Sequence, residues 1–254
     1  MSDLVKRIYS LYGTVIFFGT FFLLFPIFLL TIQVPGWKKY GRKLNRIWSK
    51  VFFSMLLIRV KFENLNLIKG HRQYVIVSNH FSYLDIPVLG LIPHDLVFVG
   101  KASLGKIPIF GYMFRNLHIA VDRNSLKSRG ASIAKAKEAM DEGSSVVIFP
   151  EGGINSTHPP ILSRFKDGAF RIAIDKQIPI IPITLSYNHL ILPDDGRFLL
   201  RYKKAKVVIH PPIEVKGLDG KAIGKLKEKS HQVIQQQLLA DNPAATIELL
   251  ADTI

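Results

Sequence analysis

Thirty consecutive residues near the start of the chain, Ile8 to Trp37, include no Asp, Glu, Lys or Arg. An apolar stretch of roughly 20 residues is long enough to cross a bilayer as a helix. Lys6 and Arg7 precede it, as basic residues precede the hydrophobic region of a signal peptide. The stretch is long for such a region, however, and no small-residue cleavage site follows it. We therefore predict an N-terminal hydrophobic helical membrane segment that is retained.

Pro26 lies within this stretch. A proline removes one backbone hydrogen bond and bends or breaks a helix. The segment could therefore cross the membrane once, or enter one leaflet as a bent pair of helices. The sequence leaves both arrangements open.

The next segment, residues 37–51, alternates basic and apolar side chains. Its basic residues recur every four positions as Lys38, Arg42, Arg46 and Lys50, and its apolar ones are Tyr40, Leu44, Ile47, Trp48 and Val51. This pattern predicts an interfacial amphipathic helix on anionic headgroups. The alternative is a basic face packed on the rest of the protein. The positive-inside tendency places this segment and everything after it on the cytoplasmic side.

The net charge of the chain is +15, which indicates an anionic partner: nucleic acid, a phospholipid surface or a phosphorylated substrate. A hydrophobic fraction of 48% and a mean hydropathy of +0.21 favour the membrane. The basic residues cluster beside the apolar segment rather than among stacking aromatic residues, so we expect no nucleic-acid partner. With no Cys in the chain there is no thiol nucleophile, and the eight histidines do not cluster at ligand spacing, so we expect no metal.

After Phe53 the pattern changes to short β-branched runs that alternate with helical stretches, which predicts an α/β sheet with functional groups at strand ends. The predicted strands are residues 74–78, 96–99, 118–121, 145–149, 180–185 and 205–209. The predicted helices are residues 82–91, 126–142, 168–176 and 221–239, with a short one over 241–254 after Pro243. We divide the chain into a membrane anchor with its basic helix, residues 1–52, and a catalytic domain, residues 53–254.

Polar residues follow the first predicted strand. His80 and Asp85 are five positions apart, a spacing that splays two side chains on a regular helix. They can meet if His80 lies on the turn and Asp85 in the first helical turn. Asp85 would then hold one ring nitrogen and leave the other free to take a hydroxyl proton. The alternative is that Ser82 and Asp85 only cap the helix.

A second polar group, Pro-Glu-Gly-Gly, follows the predicted strand over 145–149. Glu151 is expected on an exposed turn, where glycines let the backbone approach a ligand closely. A solvated carboxylate on a tight turn is the alternative interpretation.

Four segments in this order resemble the motifs of the glycerolipid acyltransferases, with the bacterial 1-acylglycerol-3-phosphate acyltransferases as the nearest resemblance. They are His80 to Asp85, Lys101 to Gly111 with Arg123 beyond, residues 149–152 (Phe-Pro-Glu-Gly), and residues 178–183 (Ile-Pro-Ile-Ile-Pro-Ile). The resemblance covers roughly residues 74–186. It implies a mixed, mostly parallel sheet flanked by helices.

The resemblance also implies a role for each matching residue. His80 would be the general base and Asp85 the partner that orients it. The residues implied in substrate binding are Lys101, Gly111, Arg123, Glu151, Gly152, Lys166 and Pro182, with Pro179 beside the last of them.

In one respect the sequence departs from the family. The family usually continues Phe-Pro-Glu-Gly with Thr-Arg-Ser, whose arginine is implied in holding the acceptor phosphate, whereas here Gly153 and Ile154 follow. Either Arg123, Arg164 and Lys166 suffice for a phosphate, or the acceptor is a lyso-aminolipid of the lyso-ornithine or lyso-glycine type. Arg164 and Lys166 could also be solvated surface charges.

These observations predict an O-acyltransferase of the bacterial inner membrane. It would move an acyl chain from acyl-CoA or acyl-carrier protein to the free hydroxyl of 1-acylglycerol-3-phosphate, making phosphatidic acid, with no further cofactor. Because the chain has neither Cys nor a Gly-x-Ser-x-Gly elbow, we expect direct transfer without an acyl-enzyme. A non-catalytic basic membrane-binding module is the alternative from another class.

Overall fold

A seven-stranded sheet forms the centre of the computed structural model, which describes residues 1–70, 72–156 and 158–243. The strands are β1 Val60–Glu63, β2 Val75–Ser78, β3 Leu96–Lys101, β4 Ile119–Val121, β5 Ser145–Ile148, β6 Ile180–Leu185 and β7 Ala205–Ile209. They lie in the order β1-β7-β6-β2-β5-β3-β4. Only β6 and β7 are antiparallel neighbours; the other neighbouring pairs are parallel. The predicted mixed, mostly parallel sheet is confirmed.

Eight α-helices accompany the sheet in the described ranges. They are α1 Asp3–Gln33, α2 Lys38–Met55, α3 Asp85–Leu89, α4 Phe110–Leu117, α5 Leu126–Asp141, α6 Gly168–Lys176, α7 Asn188–Ile191 and α8 Ile223–Asp241. One core includes residues of α2 and α3, among them Phe52, Phe53 and Leu89. The other includes residues of α5, α6 and α8, such as Met140 and Ile234. Strand β2, whose four residues are all buried, contributes alternate side chains to the two cores, as the period of a strand requires.

The predicted bounds of β6, β7 and α6 match the observed ones, and the other predicted elements shift by one to three residues at an end. Strand β1 and helices α4 and α7 were not predicted. The predicted helix over 82–91 is shorter and begins at Asp85. Most of the predicted C-terminal helix lies outside the described residues, which end at residue 243.

Helix α1 runs without a break from Asp3 to Gln33, with Pro26 inside it. Of the two arrangements that the sequence left open, the structure has one continuous helix and not a pair of helices. One face of α1 packs against α2 and α4, where Phe21 and Phe28 are buried beside Trp48 and Leu117. These aromatic and aliphatic contacts support the helix on both sides of the proline.

The opposite face of α1 is apolar and exposed. The exposed residues Leu4, Ile8, Leu11, Val15, Phe18 and Phe22 follow one another at intervals of three or four, so they form one stripe. By length and composition α1 is the one helix in the described chain that could cross a membrane. Only 22% of its most apolar 18-residue window is buried, whereas a helix in the core of a soluble protein would be mostly buried.

Helix α2 departs from the prediction of a basic face turned to lipid. The guanidinium of Arg42 donates to both carboxylate oxygens of Asp95, at 2.6 and 2.8 Å, and Arg46 donates to the Leu91 carbonyl at 3.1 Å. Two of the four regularly spaced cations therefore bind the sheet domain, while Lys38 and Lys50 are exposed. The carboxylate that recruits Arg42 lies 53 positions away, beyond the reach of a local pattern.

The predicted boundary after residue 52 falls in the last turn of α2. Phe52 and Phe53 are both buried in the core shared with the sheet. The division of the chain into an anchor and a catalytic domain stays a prediction.

Candidate active site

The candidate site lies where three neighbouring parallel strands end. His80 follows β2, Glu151 follows β5 and Asn188 follows β6, and these strands are adjacent in the order β6-β2-β5. Carboxyl ends of parallel strands meet at one edge of a sheet, and ligands of open α/β sheets bind there. The topology thus brings together residues that are far apart in the chain.

His80 and Asp85 are in contact. The Nδ1 atom of the imidazole lies 2.9 Å from Oδ2 of Asp85. His80 lies on the turn after β2 and Asp85 is the first residue of α3, the arrangement that the sequence required for a contact at this spacing. Because Nδ1–H donates to the carboxylate, the neutral ring presents Nε2 as a proton acceptor.

The Asp85 carboxylate is completely buried and each oxygen is bound. Besides His80, Oδ2 accepts the backbone N–H groups of Phe81 and Ser82 at 2.9 Å. Oδ1 accepts the side-chain amide of Asn188 at 2.8 Å. Asp85 therefore holds the imidazole and the backbone of the turn before α3. The alternative that Ser82 and Asp85 only cap the helix is wrong, since Leu84 is the N-cap and no side chain caps the helix.

Asn188 was not found from the sequence. It is 1% exposed, and its amide oxygen has no hydrogen-bond partner among the described residues. A short segment after a strand, 103 positions from Asp85, gave no local signal for this contact. A general signal was available, since a polar residue within a few positions of the end of a predicted central strand is a candidate for the site edge.

Glu151 is 1% exposed, so its expected place on an exposed turn is wrong. Its Oε1 accepts the backbone N–H of His80 at 2.8 Å, and its Oε2 accepts that of Ser163 at 2.9 Å. Burial raises the pKa of the Glu151 carboxyl to about 7, although the N–H donors of Ser163 and His80 act in the opposite direction. The side chain thereby joins the His80 turn to the loop that precedes α6.

The His80 ring stacks on Phe149, with 4.1 Å between ring centroids and an interplanar angle of 17°. Phe149 also lines a cavity of about 770 Å³, together with Pro150 and Gly152. His80 itself does not line the cavity, and it is linked to it only through its contact with the Phe149 ring. The stacking partner was in the predicted Phe-Pro-Glu-Gly motif but had no predicted role.

The cavity is lined by both cationic and aliphatic side chains. The cationic ones are Arg123, Arg129, Arg164, Lys166, Arg171 and Lys227, and the aliphatic ones include Val99, Val121, Ile133, Ile148 and Ile172. Of the six cations, only Lys227 forms a salt bridge within the described ranges, with Asp167 at 2.8 Å. Burial lowers the pKa of Arg123, so an anion in the cavity would relieve the cost of keeping that charge there.

Two of these cations contact the Pro-Glu-Gly-Gly turn. Gly152 has φ +82°, a left-handed conformation, and a Cβ there would collide with the Lys166 side chain. A Cβ on Gly153 would lie 2.9 Å from Nη1 of Arg123. Arg123 and Lys166 therefore bring positive charge to the turn from outside it.

Glu151 does not line this cavity, and neither do three other predicted substrate-binding residues. Lys101 is exposed at the end of β3. Gly111 packs on the backbone of Gly105, where a Cβ would collide with the carbonyl. Pro182 lies within β6 opposite Val77, and its carbonyl accepts the His210 N–H at 3.0 Å. These positions are explained by packing and strand pairing, and a substrate contact at them stays a prediction.

Comparison with known proteins agrees with this fold. Residues 59–186, half of the chain, match the model of the acyltransferase family. The chain belongs to the acyltransferase family.

Individual relatives agree. A chloroplastic 1-acyl-sn-glycerol-3-phosphate acyltransferase of Brassica napus is 29% identical over 74% of this chain, which spans 57% of that protein. An uncharacterized acyltransferase of Schizosaccharomyces pombe is 31% identical over 73% of the chain and 67% of its own length. The crystal structure of the 1-acyl-sn-glycerophosphate acyltransferase PlsC of Thermotoga maritima has the same fold, with a TM-score of 0.75 and 23% identity over 92% of this chain and 96% of that one.

Proposed function

We propose that this protein transfers an acyl chain from a thioester donor to the free hydroxyl of 1-acylglycerol-3-phosphate, which produces phosphatidic acid. The observation that carries the proposal is an imidazole with one nitrogen held by a buried carboxylate, stacked on Phe149, which lines a cavity with six cations. Family membership and the printed names of the relatives support the reaction class.

In the proposed reaction Nε2 of His80 removes the proton of the lysolipid hydroxyl while that oxygen attacks the thioester carbonyl. The new C–O ester bond forms and the C–S bond breaks. The thiolate leaves and takes the proton from the imidazolium, so the enzyme ends in its starting state. Asp85 stabilises the imidazolium in between, since its carboxylate lies 2.9 Å from Nδ1. Acyl-CoA or acyl-carrier protein serves as the donor.

The distribution of charge in the cavity supports a phosphorylated acceptor. Although the turn after Glu151 has no arginine, Arg123 and Lys166 lie against that turn from outside it. Arg164 lines the same cavity. Paired phosphate oxygens are well matched to guanidinium donors, and the cations with no described salt bridge favour an anionic headgroup over a zwitterionic lyso-aminolipid.

The exposed apolar stripe of α1 supports a position at a membrane, where both the acceptor and the product reside. We place the protein at the inner membrane of a bacterium with the site on the cytoplasmic side, in keeping with the basic residues that follow α1. Since α1 contributes Phe21 and Phe28 to a buried cluster, the segment is also part of the folded structure.

The test is acyl transfer by the purified full chain, with lysophosphatidic acid and a lyso-ornithine lipid offered as acceptors. We expect transfer to lysophosphatidic acid to exceed transfer to the aminolipid. Preference for the aminolipid would replace the proposed acceptor, and no transfer to either would leave a membrane-binding module as the explanation.

The catalytic assignment is tested by His80→Ala. Loss of a general base lowers turnover by about 10²–10⁴-fold. His94→Ala is the matched control, because His94 precedes β3, at the opposite edge of the sheet, and bonds Ser145 there. Near-normal turnover in a folded His80→Ala protein would exclude His80 as the base.

A further inference from the structure

Three exposed aromatic residues, two of them in contact, lie at the edge of the sheet that holds the site. Tyr83 belongs to the turn that holds His80, and its ring lies 5.4 Å from that of Phe198. Phe198 and Tyr202 belong to residues 192–204, which join α7 to β7 and are here termed the rim segment. Tyr83 is 47% exposed, and Phe198 and Tyr202 are each 58% exposed.

Phe198 is held in an unfavourable position for a residue in water. Its φ is +52°, in the left-handed region that bulky residues rarely adopt, and its apolar ring faces solvent. Its contact with the Tyr83 ring leaves more than half of the side chain exposed. A large exposed apolar side chain with strained backbone is typical of a surface that meets a partner.

The rim segment also carries basic residues. Arg197, Lys203 and Lys204 are exposed, and none of the three forms a salt bridge in the part of the chain that the structure describes. Of the two acidic residues in the segment, Asp194 interacts with Tyr83 and Asp195 accepts the backbone N–H of Arg197. Cations beside exposed aromatic rings suit the headgroup layer of an anionic bilayer, where both kinds of side chain are favoured.

The rim segment is attached to helix α1. The backbone N–H of Leu200 donates to Oγ of Ser10 at 2.7 Å, and the rings of Tyr202 and Tyr9 lie 6.4 Å apart. A Cβ on Gly13 would lie 3.0 Å from Leu200, so this part of α1 lies directly on the segment. Ser10 and Gly13 lie on the packed side of α1, so the rim segment is fixed to the helix that carries the exposed stripe and not to the stripe itself.

We infer that the rim segment is a second membrane contact, which places Phe198 and Tyr202 among the headgroups and upper acyl chains of an anionic bilayer. The inference rests on the membrane location in the proposed function and adds the surface and lipid charge that set the orientation. Because Tyr83 is three positions from His80 and packs on Phe198, this contact holds the catalytic turn at the lipid surface.

The test is Phe198→Trp in the full chain, added to vesicles of phosphatidylglycerol with brominated or ordinary acyl chains. The signal is the difference from the wild type, which removes the contribution of Trp37 and Trp48. We expect the difference spectrum to shift to the blue on vesicle binding and to lose intensity with brominated lipid. An unshifted spectrum that aqueous iodide quenches fully on the vesicles would overturn the inference.

Leu218→Trp is the matched control. Leu218 is 38% exposed, and its carbonyl accepts from Gln177 at the opposite edge of the sheet, just before β6 begins. Tryptophan there should stay open to iodide on the same vesicles. Equal quenching of both variants by brominated lipid would indicate nonspecific adsorption and would also overturn the inference.

A second arm tests the charge. Changing Arg197, Lys203 and Lys204 to Gln should weaken binding to phosphatidylglycerol vesicles by about fivefold per cation, with little effect on phosphatidylcholine vesicles. The matched control changes Lys69, Lys216 and Lys221, which are exposed near the opposite edge. If both triple variants lose the same affinity, net charge alone explains the binding and the rim has no special part.

These measurements contain no turnover step. If the Phe198→Trp enzyme acylates lysophosphatidic acid while its new indole stays in water, the rim contact is refuted and the proposed function stands. The reverse result, an indole quenched by brominated lipid without acyl transfer, would refute the proposed function alone.

Discussion

Changing Glu151 to Gln gives the sharpest test of how the site is held together. Both carboxylate oxygens accept a backbone N–H, from His80 at 2.8 Å and from Ser163 at 2.9 Å. A glutamine of the same shape has one oxygen and one NH₂ group, so in either orientation its NH₂ faces a backbone donor. Each buried donor left unpaired costs about 1–3 kcal/mol. We expect Glu151→Gln to lower the free energy of unfolding by that order.

The penalty should depend on pH. Burial raises the pKa of Glu151 from its usual 4.5 to about 7 in the folded protein. The folded state thus binds this proton more tightly than the unfolded state does, and the resulting stabilisation is complete below pH 4.5 and lost as pH rises through 7. Such a shift is worth about 3 kcal/mol. The variant has no carboxyl at this position, so its disadvantage should be larger at about pH 5 than at about pH 8.

Denaturant unfolding of both proteins in the same detergent at about pH 5 and about pH 8 measures this difference. A penalty that does not fall as pH rises would show that the two N–H donors offset burial and that the carboxylate is already ionised at about pH 5. That result would refute the reasoning from desolvation. A penalty below about 0.5 kcal/mol at both pH values would show that the turn does not depend on Glu151.

Three further changes have expected outcomes. Asp85→Asn should fold with a nearly unchanged thermal midpoint, because the Asn188 amide can turn so that its oxygen accepts the new NH₂ group. Its turnover should nevertheless fall by about 10²–10⁴-fold, because the charge that stabilises the imidazolium is lost. Full activity would show that orienting the imidazole is sufficient without the charge. Gly152→Ala should raise KM for lysophosphatidic acid, because the alanine Cβ would displace the Lys166 side chain and a φ of +82° is strained for alanine. An unchanged KM would show that Lys166 takes no part in acceptor binding. Replacing exposed residues of α1 with glutamine should reduce sedimentation with vesicles, because each such apolar side chain gains about 1.5–3 kcal/mol on full burial in lipid. The unfolding midpoint should stay unchanged, because these side chains are exposed in the fold. Undiminished sedimentation would exclude this face of α1 as the membrane contact. The residues replaced are Leu11, Val15 and Phe18.

Local pattern predicted the elements whose environment is uniform along their length. Strand β6 is buried at all six positions and is continuously apolar, so its bounds were predicted correctly. Strand β1 reads Val-Lys-Phe-Glu, lies at the edge of the sheet and is only partly buried, so it lacked that signal. Helix α4 was missed because Gly111, a poor helix former, stands at its start for close approach to Gly105.

The candidate site shows the same division. The contact of His80 with Asp85 was predictable because the strand-to-helix turn limits how a five-residue spacing can close. The partner Asn188 was not, since strand order brings it to the same edge. Ser163 was not either, because it lies in the irregular loop between β5 and α6, where no periodic pattern predicts its position. Arg42 was misjudged for a related reason: an isolated basic stripe does not show that Asp95 lies opposite it.

The attachment of α1 and α2 to the sheet has a consequence for how the protein meets its lipids. Arg42 bonds to Asp95, Tyr9 donates to the Leu56 carbonyl at 2.7 Å, and Trp48 donates to Thr20 at 3.0 Å, so the two helices are bonded to each other and to the sheet domain. With the outer face of α1 in a bilayer, the His80 imidazole would stay at a constant height above the acyl chains. The enzyme would then discriminate among acceptors by the height of their hydroxyl above the leaflet. It would encounter them by lateral diffusion of the whole protein, not by movement of the sheet domain relative to its helices.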